Sequence, residues 1–115
     1  SEASAGGYDP LGRPAVAVVV NGQGPFRFLV DTGASRSLIL RSLAERLGLR
    51  DEGSVEVAGS TGVAALPTTT LQTVSAGLLQ RERMSVVILE DGWLRHNAGV
   101  LGVDALRGVD RLEFD

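Results

Sequence analysis

Apolar residues in this chain gather in short runs broken by glycine, and most of the runs lack a helical period. AVAVVV over 15–20 is β-branched and stops at NGQGP, after which FRFLV resumes at Phe26. That pattern predicts a strand, a glycine-rich turn and a second strand. In the second strand Phe26, Phe28 and Val30 share one face, and Arg27 and Leu29 the other. Asp31 follows on the Arg27 side, where the strand gives way to TGAS. SLIL, ending at Leu40, reads as another short strand. Ser42 and Glu45 have the spacing of a capping box, Leu43 and Leu47 share one helical face, and Gly48 stands where a helix would stop. These predict a short helix over 42–47. SVEVAG and VAALPTTTLQTV flank a tip of Gly59, Ser60, Thr61 and Gly62, a second hairpin with a mobile end. ERMSVVILE predicts a further strand. After the polar loop DGWLRHNAG, VLGVDALRGVDRLEFD supplies an apolar pair, a glycine, a short helix and a last alternating strand. The sum is a mainly β chain with one or two short helices.

Length bounds the organisation. At 115 residues, 43% of them hydrophobic, the chain suffices for one domain with a real core. The small, polar, glycine-rich opening over 1–13 reads as a flexible leader, and 14–115 as the domain. There is no internal repeat.

Charge and residue absences narrow the chemistry. The net charge is -3 with acids and bases scattered, so no basic stripe exists to follow nucleic acid or a lipid surface. No stretch reaches the roughly 18 apolar residues of a membrane span. All 11 basic residues are Arg; without Lys there is no Schiff-base lysine and no P-loop lysine. Cys is absent, which removes thiol catalysis and thiolate metal sites and leaves the compartment open between an exported or periplasmic setting and the cytoplasm. A catalytic triad or zinc site would have to pass through the single histidine, His96. Its polar surroundings read as an exposed loop, and no metal or other cofactor is expected.

One feature asks for chemistry. FLVDTGAS drives an apolar strand straight into an acid, and burying a lone charge is costly. Either Asp31 caps a turn or the fold holds it for a reaction. LVDTGAS resembles the active-site segment of aspartic proteases. Together with the glycine-tipped hairpin and VLG over 100–102, it makes the stretch over 15–114 similar to the single-lobe, retropepsin-like branch. The short helix after DTGAS and the ending LGVDALRGVDRLEFD resemble its cellular and bacterial members. The resemblance implies a single-lobe acid protease barrel acting on peptide or protein substrates. Amide hydrolysis without metal, thiol or histidine needs one group to take a proton from water and another to give one up, and two carboxylates sharing a proton do both.

By the same resemblance Asp31 is the catalytic acid, and the Thr32 hydroxyl turns from substrate to bond the partner lobe. Gly33 lets its N–H approach the carboxylate. Ala34 keeps the floor small, and Ser35 stands where a hydroxyl could donate to the outer carboxylate oxygen. Gly59, Ser60, Thr61 and Gly62 would form a flap over an extended peptide bound as an added strand, although GSTG lacks the aromatic that pepsin-like flaps carry. Val100, Leu101 and Gly102 would pack beneath the Asp31 loop. DTG occurs once, so the second acid must come from another lobe. The simplest source is an identical protomer across a two-fold axis, with DRLEFD a candidate for the shared sheet. Asp91 and Asp104 lack the DTG context, and Asp104 reads as a helix cap. Two alternatives stay open: a non-catalytic dimerisation or peptide-binding module, and one lobe of a longer two-lobe protease.

Overall fold

The hairpin that delivers Asp31 is built by its turn. In the computed structural model, which describes residues 7–8, 12–59, 62–92, 94 and 96–107, strand β2 (Pro14–Val20) pairs antiparallel with β3 (Gln23–Val30). Asn21 and Gly22 both sit at positive φ, 52° and 76°, as a two-residue turn matched to strand twist requires. Val20 therefore pairs with Gln23, and β3 begins three residues before the FRFLV run. The Asn21 side-chain oxygen accepts the N–H groups of Gln72 and Thr73 at 2.8 and 3.1 Å, which fastens the turn to a neighbouring strand.

Strand β4 (Leu38–Leu40) runs directly into helix α1 (Arg41–Arg46), which ends at Gly48 with φ 72°. The expected capping box does not form. Leu40 is the N-cap and makes no side-chain cap bond; Ser42 already lies inside the helix, where its hydroxyl cannot reach the first turn's amides. An acid distant in sequence does that work instead, since the Ser42 N–H donates to Asp91 Oδ1 at 3.0 Å.

The second hairpin joins β5 (Gly53–Gly59) to the long β6 (Gly62–Ala76), and β7 (Leu79–Leu89) returns along β6. Strand β8 (Gly99–Leu101) precedes helix α2 (Val103–Leu106). The expected last strand over 110–115 lies outside the described residues. Of the expected leader, Gly7–Tyr8 forms strand β1, pairing with Ala15 and Pro14.

Strands β2, β3, β8, β4, β7 and β6 are neighbours in that order, and β6 returns to β2 through Val19–Ser75 and Val20–Val74. The result is a closed six-stranded barrel, an arrangement that leaves no unpaired sheet edge among its members. Strand β8 is parallel to β3 and antiparallel to β4, and β4 is parallel to β7. Val18, Val20, Phe28, Ile39, Leu71, Val74, Val86 and Ile88 fill the main core, with Leu43 and Ala44 of α1 packed onto it. A smaller cluster of Ala15, Leu29, Leu40, Leu94 and Val100 lies apart from it. Strand β3 is thus buried on both faces as it nears Asp31, Phe28 in one cluster and Leu29 in the other. This accounts for a continuous FLV run where a half-exposed strand would alternate.

Candidate active site

Asp31 stands where the β3–β8 ladder runs out. The last parallel pair is Val30 with Leu101, and the Asp31 N–H still reaches the Leu101 carbonyl at 3.0 Å. Beyond it the chain turns: the Ala34 N–H donates to the Asp31 carbonyl at 3.0 Å and the Val103 N–H to the Ala34 carbonyl at 2.8 Å. The VLG segment therefore lies against the loop, and Gly102 is where the approach is closest. A Cβ there would stand 2.7 Å from the Ala34 carbonyl oxygen and 2.9 Å from the Arg36 backbone, so only glycine fits without moving the loop. Gly99 is as tightly confined, its missing Cβ falling 2.5 Å from both the Leu38 carbonyl oxygen and the Phe28 ring.

The Asp31 carboxylate is held at both oxygens. Oδ1 accepts the Gly33 N–H at 2.9 Å, and a Cβ on Gly33 would lie 3.2 Å from that oxygen. Oδ2 receives the Arg13 guanidinium at 3.3 Å. With its side chain 30% exposed, Asp31 is open to water while anchored from behind. Thr32, Gly33 and Ser35 are exposed and Ala34 half-buried. The outer oxygen, where the sequence places Ser35, meets Arg13 instead, a residue that reads in sequence as the last of the leader. Nothing local marks it, because the contact spans the whole β2–β3 hairpin.

Ser37 and Asp104 also escape a sequence reading. Ser37 is 1% exposed, and its hydroxyl donates to Asp104 Oδ1 at 2.7 Å. The N-cap of α2 is Gly102 and not the expected Asp104. From the second position of α2, Asp104 accepts the Ala105 N–H at 2.8 Å and both donors of Ser37. The available signal was a lone serine beside the apolar run LIL.

The β5–β6 arm is exposed along most of its length. It rises from Thr68, which pairs with Val87, and the Val87 N–H donates to the Ser37 carbonyl at 3.1 Å. The root of the arm thus adjoins the end of the Asp31 loop. Gly59 pairs with Gly62 at its far end; Ser60 and Thr61 lie outside the described residues. His96 is exposed. Among the described residues, no three His, Asp or Glu side chains gather as metal ligands would, and no helix is long and apolar enough to cross a membrane.

The sequence profile of aspartyl proteases matches residues 16–105, a span that holds Asp31, the arm and the VLG segment. The chain belongs to the aspartyl protease family. It is 38% identical over 84 residues to the Gag-Pol polyprotein of koala retrovirus and 37% identical over 84 residues to that of gibbon ape leukemia virus. The match takes in 73% of this chain and 5% of each polyprotein. A retropepsin-like aspartic protease from Rickettsia conorii shares the fold at a TM-score of 0.68 and 22% identity, over 96% of this chain and 82% of that one. The EIAV protease, solved with the inhibitor HBY-793, does so at 0.69 and 22%, over 94% and 99%. The barrel is accordingly a retropepsin-like acid protease domain, as the DTGAS and VLG segments implied.

Proposed function

We propose that the domain is one half of a homodimeric aspartic endopeptidase, in which Asp31 and the Asp31 of a second copy activate water for attack on a peptide bond. The observation that carries this reading is the carboxylate itself, exposed to water at the end of a strand buried on both faces, with Gly33 fixing one oxygen. Two such groups brought together by a two-fold axis cannot both ionise. The protonated one then gives its proton to the carbonyl oxygen or leaving nitrogen as the other accepts one from water. In this reading Thr32 bonds across to the partner's loop, and Ala34 and Ser35 line the floor. Gly59, Ser60, Thr61 and Gly62 close over a substrate bound as an extended strand, excluding water from the reaction.

The test is cleavage of a peptide library between about pH 3 and 8, with Asp31→Asn as control; losing the acid–base pair is expected to cost about 10²–10⁴-fold or more in kcat/KM. Equal residual activity in that variant removes Asp31 from the mechanism. Sedimentation across a concentration series reports the dimer, and a protein that stays monomeric at the highest concentration points to one lobe of a longer chain. A second reading, a peptide-binding or dimerisation module without catalysis, is favoured by the Arg13 guanidinium on Oδ2, which occupies an oxygen that the reaction would need for water. It requires a dimeric protein that cleaves no member of the library.

A further inference from the structure

The loop that opens at Asp31 closes at Ser37, and the closure is densely bonded. One Asp104 carboxylate accepts the Ser37 N–H at 2.9 and 3.0 Å to its two oxygens, the Ser37 hydroxyl at 2.7 Å and the Ala105 N–H at 2.8 Å. The Ser37 oxygen in turn accepts the buried Gly102 N–H at 2.9 Å. From there the path to the site is short: Val103, next to Gly102, bonds the Ala34 carbonyl, and the Ala34 N–H bonds the Asp31 carbonyl. The loop's other backbone ties are the Gly33 N–H to the Asp31 side chain and, at its two ends, the Asp31 N–H to the Leu101 carbonyl and the Val87 N–H to the Ser37 carbonyl. Both ends of the loop join the barrel ladder, at Val30 and at Leu38; what the cluster adds is a charge-assisted tie, the stronger class of hydrogen bond, between the loop's end and the Gly102–Asp104 segment that backs it.

We propose that Asp104 and Ser37 are a positioning pair for the reaction, setting the Asp31 loop on the β8–α2 segment and so aiming the Asp31 carboxylate. The proposal rests on the reading of Asp31 as catalytic. Neither residue reaches the carboxylate itself; the pair acts through Gly102, Val103 and Ala34. Displacing a reacting group by about 1 Å can cost about 10²-fold in rate, so a loop loosened from the segment behind it loses turnover before it loses its fold.

Ser37→Ala keeps the shape of the buried site while removing the hydroxyl donor to Asp104 and the acceptor for Gly102, and it leaves the Ser37 N–H on Asp104. Asp104→Asn is isosteric, but turns an NH₂ toward a backbone N–H. In folded variants kcat is expected to fall about 10- to 100-fold with KM within about threefold. Ser37→Thr, which keeps the hydroxyl, restores kcat to within about threefold, and the Ser37→Ala/Asp104→Asn double variant is no worse than the poorer single one, because both cut the same tether. A second measurement needs no turnover. Amide hydrogen exchange at Ala34 and Gly102 should rise about tenfold or more in both single variants, with β6–β7 core amides unchanged. Unchanged exchange overturns the tether whatever the activity, and faster exchange with unchanged kcat overturns the positioning role. Should the wild-type domain cleave nothing while these amides loosen, the catalytic reading of Asp31 fails and the tether stands. If Ser37→Ala does not fold, Asp104→Asn decides by the same two measurements.

Discussion

The β2–β3 hairpin and the β5–β6 hairpin both turn on glycine and both lead to the Asp31 loop, yet they meet water in opposite ways. Along β2–β3, Val18, Val20, Phe28, Leu29 and Val30 are buried, and the turn itself is bonded to β6 by Asn21. Along β5 only Val55 is even half-buried, and the first four residues of β6 are exposed. The arm's strands pair residue by residue from Gly53–Thr68 to Gly59–Gly62, so backbone pairing does not separate the two hairpins; apolar burial does. Local opening costs least where few buried contacts must break. One hairpin is therefore set to hold a carboxylate, while the other has few buried contacts to break on opening.

The largest blow to that contrast is expected at Phe28. Its ring is 1% exposed and packs where Gly99 has no side chain, so Phe28→Ala opens a cavity at the junction of β3, β8 and β4. A destabilisation of about 3–5 kcal/mol is expected, read as a lowered midpoint in urea denaturation. A loss under about 1 kcal/mol would mean that the rigid hairpin is not held by its core.

The sequence makes the two hairpins equally visible and says little of this difference. The FLV run, the β-branched AVAVVV and the Asn-Gly turn specify β2–β3 because each reports local geometry or burial. DTGAS and VLG mark the loop and its backing because close approach favours glycine at 33 and demands it at 102. Contacts between distant segments leave no such trace. Arg13 on Asp31, Asp104 on Ser37 and Asp91 on the Ser42 amide join residues far apart in the chain, and each is a single polar side chain in an ordinary context. The capping box at Ser42 and Glu45 misleads for the same reason: its spacing is right, but β4 runs into α1 without the non-helical serine that a box requires.

The arm offers a sharper test of its own two faces. Residues paired across it share a face, so Val55, Val57, Ala64 and Leu66 lie on one side and Glu56, Ala58, Val63 and Ala65 on the other. Val55 and Leu66 are the half-buried members, which turns the first face toward the body of the domain. Val57 is 38% exposed and Val63 66%. Val57→Ser and Val63→Ser are each expected to change stability by no more than about 0.5 kcal/mol. If the arm closes over a peptide, the first raises KM several-fold while the second leaves it unchanged. Equal effects on KM would show that the arm does not close by its inward face.

The smallest effect belongs to Asp91, and it probes the rigid half at its most exposed bond. Hydrogen bonding by Ser42, from its side chain and its N–H, holds the Asp91 carboxyl below the ordinary carboxylate range. A carboxyl lowered in the folded state binds fewer protons there than in the unfolded chain, so its contribution is complete above the ordinary value and is lost as pH falls through the lowered one. Asp91→Ala should therefore melt slightly below wild type at neutral pH, with the two curves converging in acid. Because Asp91 is exposed, salt screens its charge, and the neutral-pH gap should narrow as ionic strength rises. A gap that persists unchanged in acid would mean that the side chain matters to α1 by packing rather than by charge. Helix α1 would then owe its start to Leu43 and Ala44 in the core, and the long-range cap would be incidental.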